Sequence, residues 1–303
     1  MKILVAGGCG YIGSVLVPML IEQGHAVTVI DCCYFGRNLP DGVDVVVGDT
    51  RAITETHLYR VDRVIDLAGL SNDPSCDLRS EVTIENNFRG AVHLAATAYR
   101  SGVSYYTYVS SCSVYGDTGE QVHVNPLTEY ARAKYAVERA IKRFWGDPRL
   151  SIPRLATVYG LSPRMRFDLA PNLMTLHAVR RGVVEVYGEG TQWRPFVHVR
   201  DVARFLCNPR PDSVDVGSND MTMTAKALAE RVAAVTGAQC IHRLDMPTDT
   251  RSYKPDFWRP SGTVKLEDGI REIADALRAG TVTDGPMTRT VERYRALITE
   301  GQL

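Results

Sequence analysis

The run GGCGYIG at residues 7–13 constrains this chain more than any other segment, because of what stands on either side of it. Before it lies the short apolar run KILVA, and after it SVLVPMLIEQG, where Val15, Leu16, Met19 and Leu20 recur at helical spacing. That order reads as strand, tight turn, helix. Gly7 allows the sharp turn, Gly10 lets backbone N–H groups approach a pyrophosphate, and Gly13 lets the helix pack on the strand, with Tyr11 and Ile12 completing the turn. The phosphates would rest on the positive N-terminus of the helix. A second strand, residues 26–30, ends at Asp31, where an acid accepts hydrogen bonds from the adenosine ribose hydroxyls. A carboxylate at that place repels a 2'-phosphate, so the cofactor expected is NAD.

The rest of the N-terminal half repeats the alternation. A third strand at residues 43–47 runs into Gly48, Asp49 and Thr50, and a fourth at residues 63–67 ends on Leu67 before Ala68 and Gly69. Doubly wound sheets bind ligands at these carboxyl ends of strands. A helix over residues 81–100, a strand at 105–109, a helix carrying Tyr130 and a strand near 152–155 follow. The fold class expected is therefore α/β, a doubly wound parallel sheet with helices on both faces. Beyond Gly160 the texture changes: LSPRMRF, a helix near 168–181, a short strand in VEVYG, the loop EGTQWRP and a helix at 224–236 suggest a smaller mixed lobe.

Tyr130 and Lys134 stand in YARAK at i and i+4, on one helix face, preceded by the stretch SSCSVYG at residues 110–116. A free phenol has a pKa near ~10 and is a poor base at neutral pH. A neighbouring ammonium and a positive nicotinamide both favour phenolate, which would make Tyr130 a proton acceptor suited to redox chemistry on a hydroxyl.

Composition narrows the partners. Across 303 residues, 35 basic side chains balance 35 acidic ones, and no basic run offers a footprint for nucleic acid. No apolar run approaches the ~18 to 20 residues of a membrane span, and the chain opens directly on a core strand, so a cytoplasmic protein is expected. Seven cysteines and seven histidines show no metal-ligand spacing, so no metal is expected. Cys112, between the two serines of its strand, reads either as a small packing residue or as part of the site.

The order of these motifs resembles the extended short-chain dehydrogenase/reductases of the NAD-dependent nucleotide-sugar epimerase and dehydratase family. It is carried by GGCGYIG, Asp31, GDT (48–50), LAGL (67–70), NNFRG (86–90), SSCSVYG, YARAK, Asn172-Leu173-Met174, RPFVHVRDVA (194–203) and Arg251. The resemblance implies that Lys134 bonds the nicotinamide ribose, Ser111 bonds the reacting sugar oxygen and Asn87 braces the cofactor side. Asn172 and Leu173 then touch the diphosphate and base, while Arg194 and Arg251 clamp the diphosphate in planar forks. Arg164 and Arg166 are further candidates for reaching the substrate.

The resemblance also implies that residues 199–206 and 214–216 return to the main sheet. The NAD-binding domain would then comprise 1–157 and 194–217, and the substrate lobe 158–193 and 218–303. A homodimer built through two helices is implied as well. Cys112 and Ser113 stand where dehydratases of the family carry an acidic pair and decarboxylases a glutamate, which favours epimerisation, most simply at C4. A ketoreductase, dehydratase or decarboxylase, and a non-catalytic NAD sensor, remain as alternatives. Departures at Thr157, where the family has asparagine, at Ser71, where 4-epimerases can have lysine, and in the short segment between Gly116 and Tyr130 point to a specialised sugar.

Overall fold

A computed structural model describes residues 1–303 except 120, 147, 248, 250 and 258–262. Its centre is a wholly parallel sheet. Strand β1 (Lys2–Ala6) pairs on one side with β2 (Ala26–Asp31), which pairs with β3 (Asp44–Val47). On the other side of β1 come β4 (Arg63–Asp66), β5 (Tyr105–Tyr108), β7 (Leu150–Leu155) and the edge strand Asp212–Val216, with the two-residue β6 (Ser110–Ser111) also pairing with β7.

The period of two along β1 explains why the sheet is covered on both faces. Ile3 and Val5 point into a core with Leu16, Leu20 and Val29, whereas Leu4 and Ala6 point into a second core with Leu94, Tyr106, Val137 and Trp145. The first core is closed by helix α1 (Gly13–Glu22). Of the next helices, α2 (Asp73–Cys76) and α3 (Ser80–Thr83) are short, and α4 (Ala91–Arg100) and α5 (Glu129–Ile141) close the second core. The single helix expected over 81–100 is interrupted: Ile84–Gly90 winds as a π-helix between α3 and α4. Apolar periodicity is insensitive to that extra residue per turn.

The second half departs more. Strand β8 (Thr157–Tyr159) leaves the main sheet, and the stretch read as the loop EGTQWRP runs into a strand, β10 (Trp193–His198), which pairs with β8. Before it come helix α6 (Ala170–Arg181) and strand β9 (Val183–Tyr187). Residues 199–206 do not return to the main sheet: they form helix α7 (Val199–Cys207), which packs on α1, and only β11 (Asp212–Val216) rejoins the sheet. Valine and phenylalanine at 199–206 suit a strand locally, but their spacing buries one face of a helix against the first core.

Strand β12 (Thr222–Thr224), helix α8 (Ala225–Thr236), strand β13 (Gln239–Arg243) and helix α9 (Leu266–Arg278) build the smaller lobe with α6 around Val184, Phe196, Leu228 and Ile270. The last helix, α10 (Thr290–Thr299), leaves the lobe and packs through Tyr294 and Leu297 beside Phe35, Leu70, Cys76 and Tyr130. Among the described residues no helix is long and apolar enough to cross a membrane.

Candidate active site

A cleft of about 530 Å³ runs along the carboxyl ends of the sheet strands, with Gly7, Gly10 and Asp31 toward one end and Ser111, Tyr130 and Lys134 toward the other. Gly7 has φ +75°, and a Cβ there would lie 2.8 Å from the Leu67 carbonyl carbon, so both conformation and space demand glycine. A Cβ on Gly13 would meet Gly8 at 2.5 Å. A Cβ on Gly10 would meet only the Gly7 oxygen, at 3.2 Å, so its backbone stands open to the cleft. The Asp31 carboxylate is aimed by the backbone N–H groups of Cys9 at 2.9 Å and Cys33 at 2.7 Å. These two bonds leave acceptor sites free, and the geometry fits a dinucleotide: open backbone for the pyrophosphate, a fixed acid for the ribose.

Tyr11, Ile12, Gly13, Leu67, Ala68 and Gly69 also line the cleft, as do Asp49 and Thr50. The Asp49 carboxylate is engaged by Arg51 at 2.5 Å. Asn87 is buried beside the cleft: it accepts from Leu70 N at 2.7 Å and donates to Leu70 O at 2.9 Å, pinning the loop after Gly69. Cys9, Asp31 and Cys33 bring two sulfurs and a carboxylate within 4.8 Å of one another. Burial, then Asp31, pushes the Cys9 thiol well above its ordinary range, so it stays protonated.

At the other end, helix α5 is capped by Thr128, whose Oγ accepts from Ala131 N at 3.2 Å, and this sets Tyr130 and Lys134 toward Ser111. Lys134 Nζ donates to Val109 O at 2.8 Å and lies 4.8 Å from the Tyr108 ring centre and 5.9 Å from that of Tyr130. The Tyr130 phenol is pushed up rather than down: burial dominates, Cys76 and Asp73 add to it, and Arg166 and the neighbouring Ser111 hydroxyl oppose it. Burial of the phenol outweighs the charges around it, and the Lys134 ammonium directs its own bond to a carbonyl. Lys134 is itself held down by burial, against the pull of Asp66. Asp66 is buried, takes bonds from Tyr106 Oη at 3.0 Å and Ala68 N at 3.1 Å, and burial pushes its pKa up to about 6 against Lys134. The signal for it was an acid ending the strand RVID directly after the apolar pair Val64 and Ile65.

A second unread network supports the Ser111 strand from below. Glu138 accepts from Ser110 Oγ at 2.6 Å and pairs with Arg154 at 2.6 Å, Arg154 donates to Tyr115 Oη at 3.0 Å, and Tyr115 donates to Asp215 at 2.7 Å. Cys112 is fully buried and turns its sulfur to Arg154 O at 3.3 Å, away from the cleft, so it packs and does not face a substrate. Ser113 does line the cleft.

The expected substrate contacts divide. Asn172 is fully buried and its amide is spent within the protein: it accepts from Gly160 N at 3.0 Å and donates to Tyr11 Oη at 3.1 Å and Arg166 O at 2.9 Å. Leu173 packs against the first core instead of lining the cleft. Arg194 and Arg251 do line it, already paired: Asp249 lies 2.9 Å from Arg194 and 2.6 Å from Arg251, which also meets Asp73 at 2.5 Å. Arg164 is less satisfied. It is buried with its guanidinium 3.8 Å above the Phe35 ring, donates to Thr290 Oγ at 3.0 Å, and keeps Nε and Nη1 without partners. Arg166 is paired with Asp168.

A scan against known families matches residues 3–208 to the NAD dependent epimerase/dehydratase family. The chain belongs to that family. Its relatives there include UDP-glucuronic acid decarboxylase 1 of Xenopus tropicalis, 26% identical over 91% of this chain and 72% of the relative. UDP-glucose 4-epimerase of Neisseria meningitidis serogroup C is 27% identical over 67% of this chain and 70% of its own length. Among solved structures, an NAD-dependent NDP-hexosamine 5,6-dehydratase of tunicamycin biosynthesis superposes with a TM-score of 0.80, at 26% identity, covering 92% of this chain and 98% of that one. The protein is thus an NAD-dependent enzyme of a family whose members epimerise, dehydrate or decarboxylate nucleotide sugars, with the doubly wound fold of that family.

Proposed function

We propose that this enzyme is an epimerase of a nucleotide-diphosphate sugar, acting at C4 through a transient keto-sugar. The carrying observation is that Ser111, Tyr130 and Lys134 line one end of a cleft whose other end is the glycine turn and Asp31. Bound NAD supplies the hydride acceptor and later the hydride donor. Ser111 holds the sugar hydroxyl, Tyr130 takes its proton and returns it, and Lys134, anchored on Val109 O, keeps the helix face oriented. The phenol, raised by burial in the free cleft, is pulled back toward an ionisable state when a positive nicotinamide ring lies beside it. Cys112 and Ser113 contribute no carboxylate beside Ser111, which supports hydride return over elimination.

A second reading, dehydration or decarboxylation, is favoured by Asp73, a carboxylate that lines the cleft from another element. The test is cofactor accounting with UDP-glucose and UDP-glucuronic acid, following the NADH absorbance and the products by chromatography. An epimerase gives a stereoisomer of unchanged mass and no NADH at steady state. A product that has lost water or carbon dioxide assigns the second reading.

A further inference from the structure

Among the described residues four aspartates line the cleft: Asp31 and Asp49 toward the glycine turn, Asp73 and Asp168 in its other part. Asp168 has no capacity left. Its Oδ1 accepts from Arg166 Nε at 3.2 Å and Thr290 Oγ at 3.0 Å, and its Oδ2 from Asn72 Nδ2 at 2.5 Å and from Arg166 Nη2, which fills the roughly four acceptor sites of a carboxylate. Arg166 and its hydrogen bonds also hold it down at about 2, too weakly basic to take a carbon-bound proton.

Asp73 keeps open acceptor capacity. It opens the short helix α2, its side chain keeps 18% exposure, and it holds two partners: Thr128 Oγ on Oδ1 and Arg251 Nη1 on Oδ2 at 2.5 Å. Among the described residues nothing else bonds these oxygens, which leaves one acceptor site on each open. Thr128 is the cap of α5, so this bond moors the carboxylate to the start of the helix that carries Tyr130, whose phenol feels the Asp73 charge.

Resting on the second reading above, in which a cleft carboxylate acts on the keto-sugar, we propose that Asp73 is the acid–base residue that removes and returns a proton at the sugar carbon adjacent to the carbonyl. The substrate class is a nucleotide-linked 4-keto-sugar with a hydrogen on that neighbouring carbon. The C–H bond breaks and its electron pair becomes the carbon–carbon π bond, while the carbonyl π pair moves to oxygen. The proton goes to a free Asp73 oxygen. Ser111 and the protonated Tyr130 phenol donate to the enolate oxygen, a task for which a phenol kept neutral by burial is suited. Return of the proton from Asp73 regenerates the ketone, with solvent hydrogen if the carboxyl has exchanged. The fold thereby supplies from α2 the carboxylate that Cys112 and Ser113 do not.

The experiment uses the full chain and UDP-4-keto-6-deoxyglucose in D2O, following the C3 and C5 protons by NMR. This probe already carries the carbonyl, so exchange needs no oxidation step, and a failure here leaves the NADH accounting untouched. The parent protein should catalyse exchange above the enzyme-free rate, and Asp73→Asn should slow it by about 10²-fold or more with nucleotide-sugar Kd changed less than about threefold. Asp73→Ala should recover exchange on addition of formate, which a purely structural role would not allow. Exchange in either variant at the parental rate, no exchange in the parent, or loss of exchange only together with loss of binding overturns the proposal.

Discussion

Replacing Asp66 by asparagine should stabilise the protein increasingly as pH rises. The parent carboxyl is almost wholly buried and its pKa is displaced from 3.8 to about 6. That displacement of about two units corresponds to roughly 3 kcal/mol of penalty once the group is ionised in both states. The folded state holds its proton to higher pH than the unfolded state, so this contribution is fully favourable below pH ~3.8 and is lost as pH rises through about 6.

Asparagine can accept from Ala68 N through its amide oxygen and donate to Tyr106 Oη through its amide nitrogen, and it does not titrate. The unfolding free energy of Asp66→Asn minus that of the parent should therefore rise by roughly 1.4 kcal/mol between pH 5 and 7.5, a tenfold change in the unfolding equilibrium. Urea titrations of both proteins across that range measure it. A difference that stays constant with pH would refute the argument, because it would mean that burial of the carboxyl is relieved by something other than a retained proton. The same change removes the charge that opposes the downward push on Lys134, so the alkaline limb of the activity profile should move to lower pH.

Three further outcomes are expected. Tyr130→Phe, which removes the proton carrier and keeps the ring, should lower kcat by about 10² to 10⁴-fold in a steady-state assay while leaving NAD binding measurable by fluorescence. Gly13→Ala places a methyl 2.5 Å from Gly8 and should cost about 1–3 kcal/mol in stability, with weaker NAD affinity by calorimetry. Glu138→Gln leaves the half-buried Arg154 cation without its carboxylate and should destabilise by about 3 kcal/mol in urea, whereas Arg51→Ala at a more exposed pair should stay within about 1 kcal/mol.

The dinucleotide half was legible because its constraints are local. Gly7 must be glycine because of its own φ and the strand beside it, and Asp31 must end a strand that pairs with β1. Such features lie within a few residues of chain, and periodicity exposes them. Residues 193–206 were not legible in that way. β-branched and aromatic side chains there satisfy a strand or a helix equally, and the choice fell to pairing with β8 and packing on α1.

The candidate site divides along the same line. That Tyr130 and Lys134 share one helix face was readable from spacing, whereas Ser111 was singled out by the family resemblance. The inward turn of Asn172 and Cys112 was not, since whether a polar side chain faces a cleft or satisfies a buried carbonyl depends on which elements arrive beside it.

Chain order alone specified the alternation of strands and helices and the phosphate-binding turn, since both follow from backbone geometry and apolar period over short spans. Packing across long separations chose the rest: Arg251 against Asp73 and Lys134 near Asp66. Charges gain or lose their strength through burial and neighbours, and those are properties of the assembled fold.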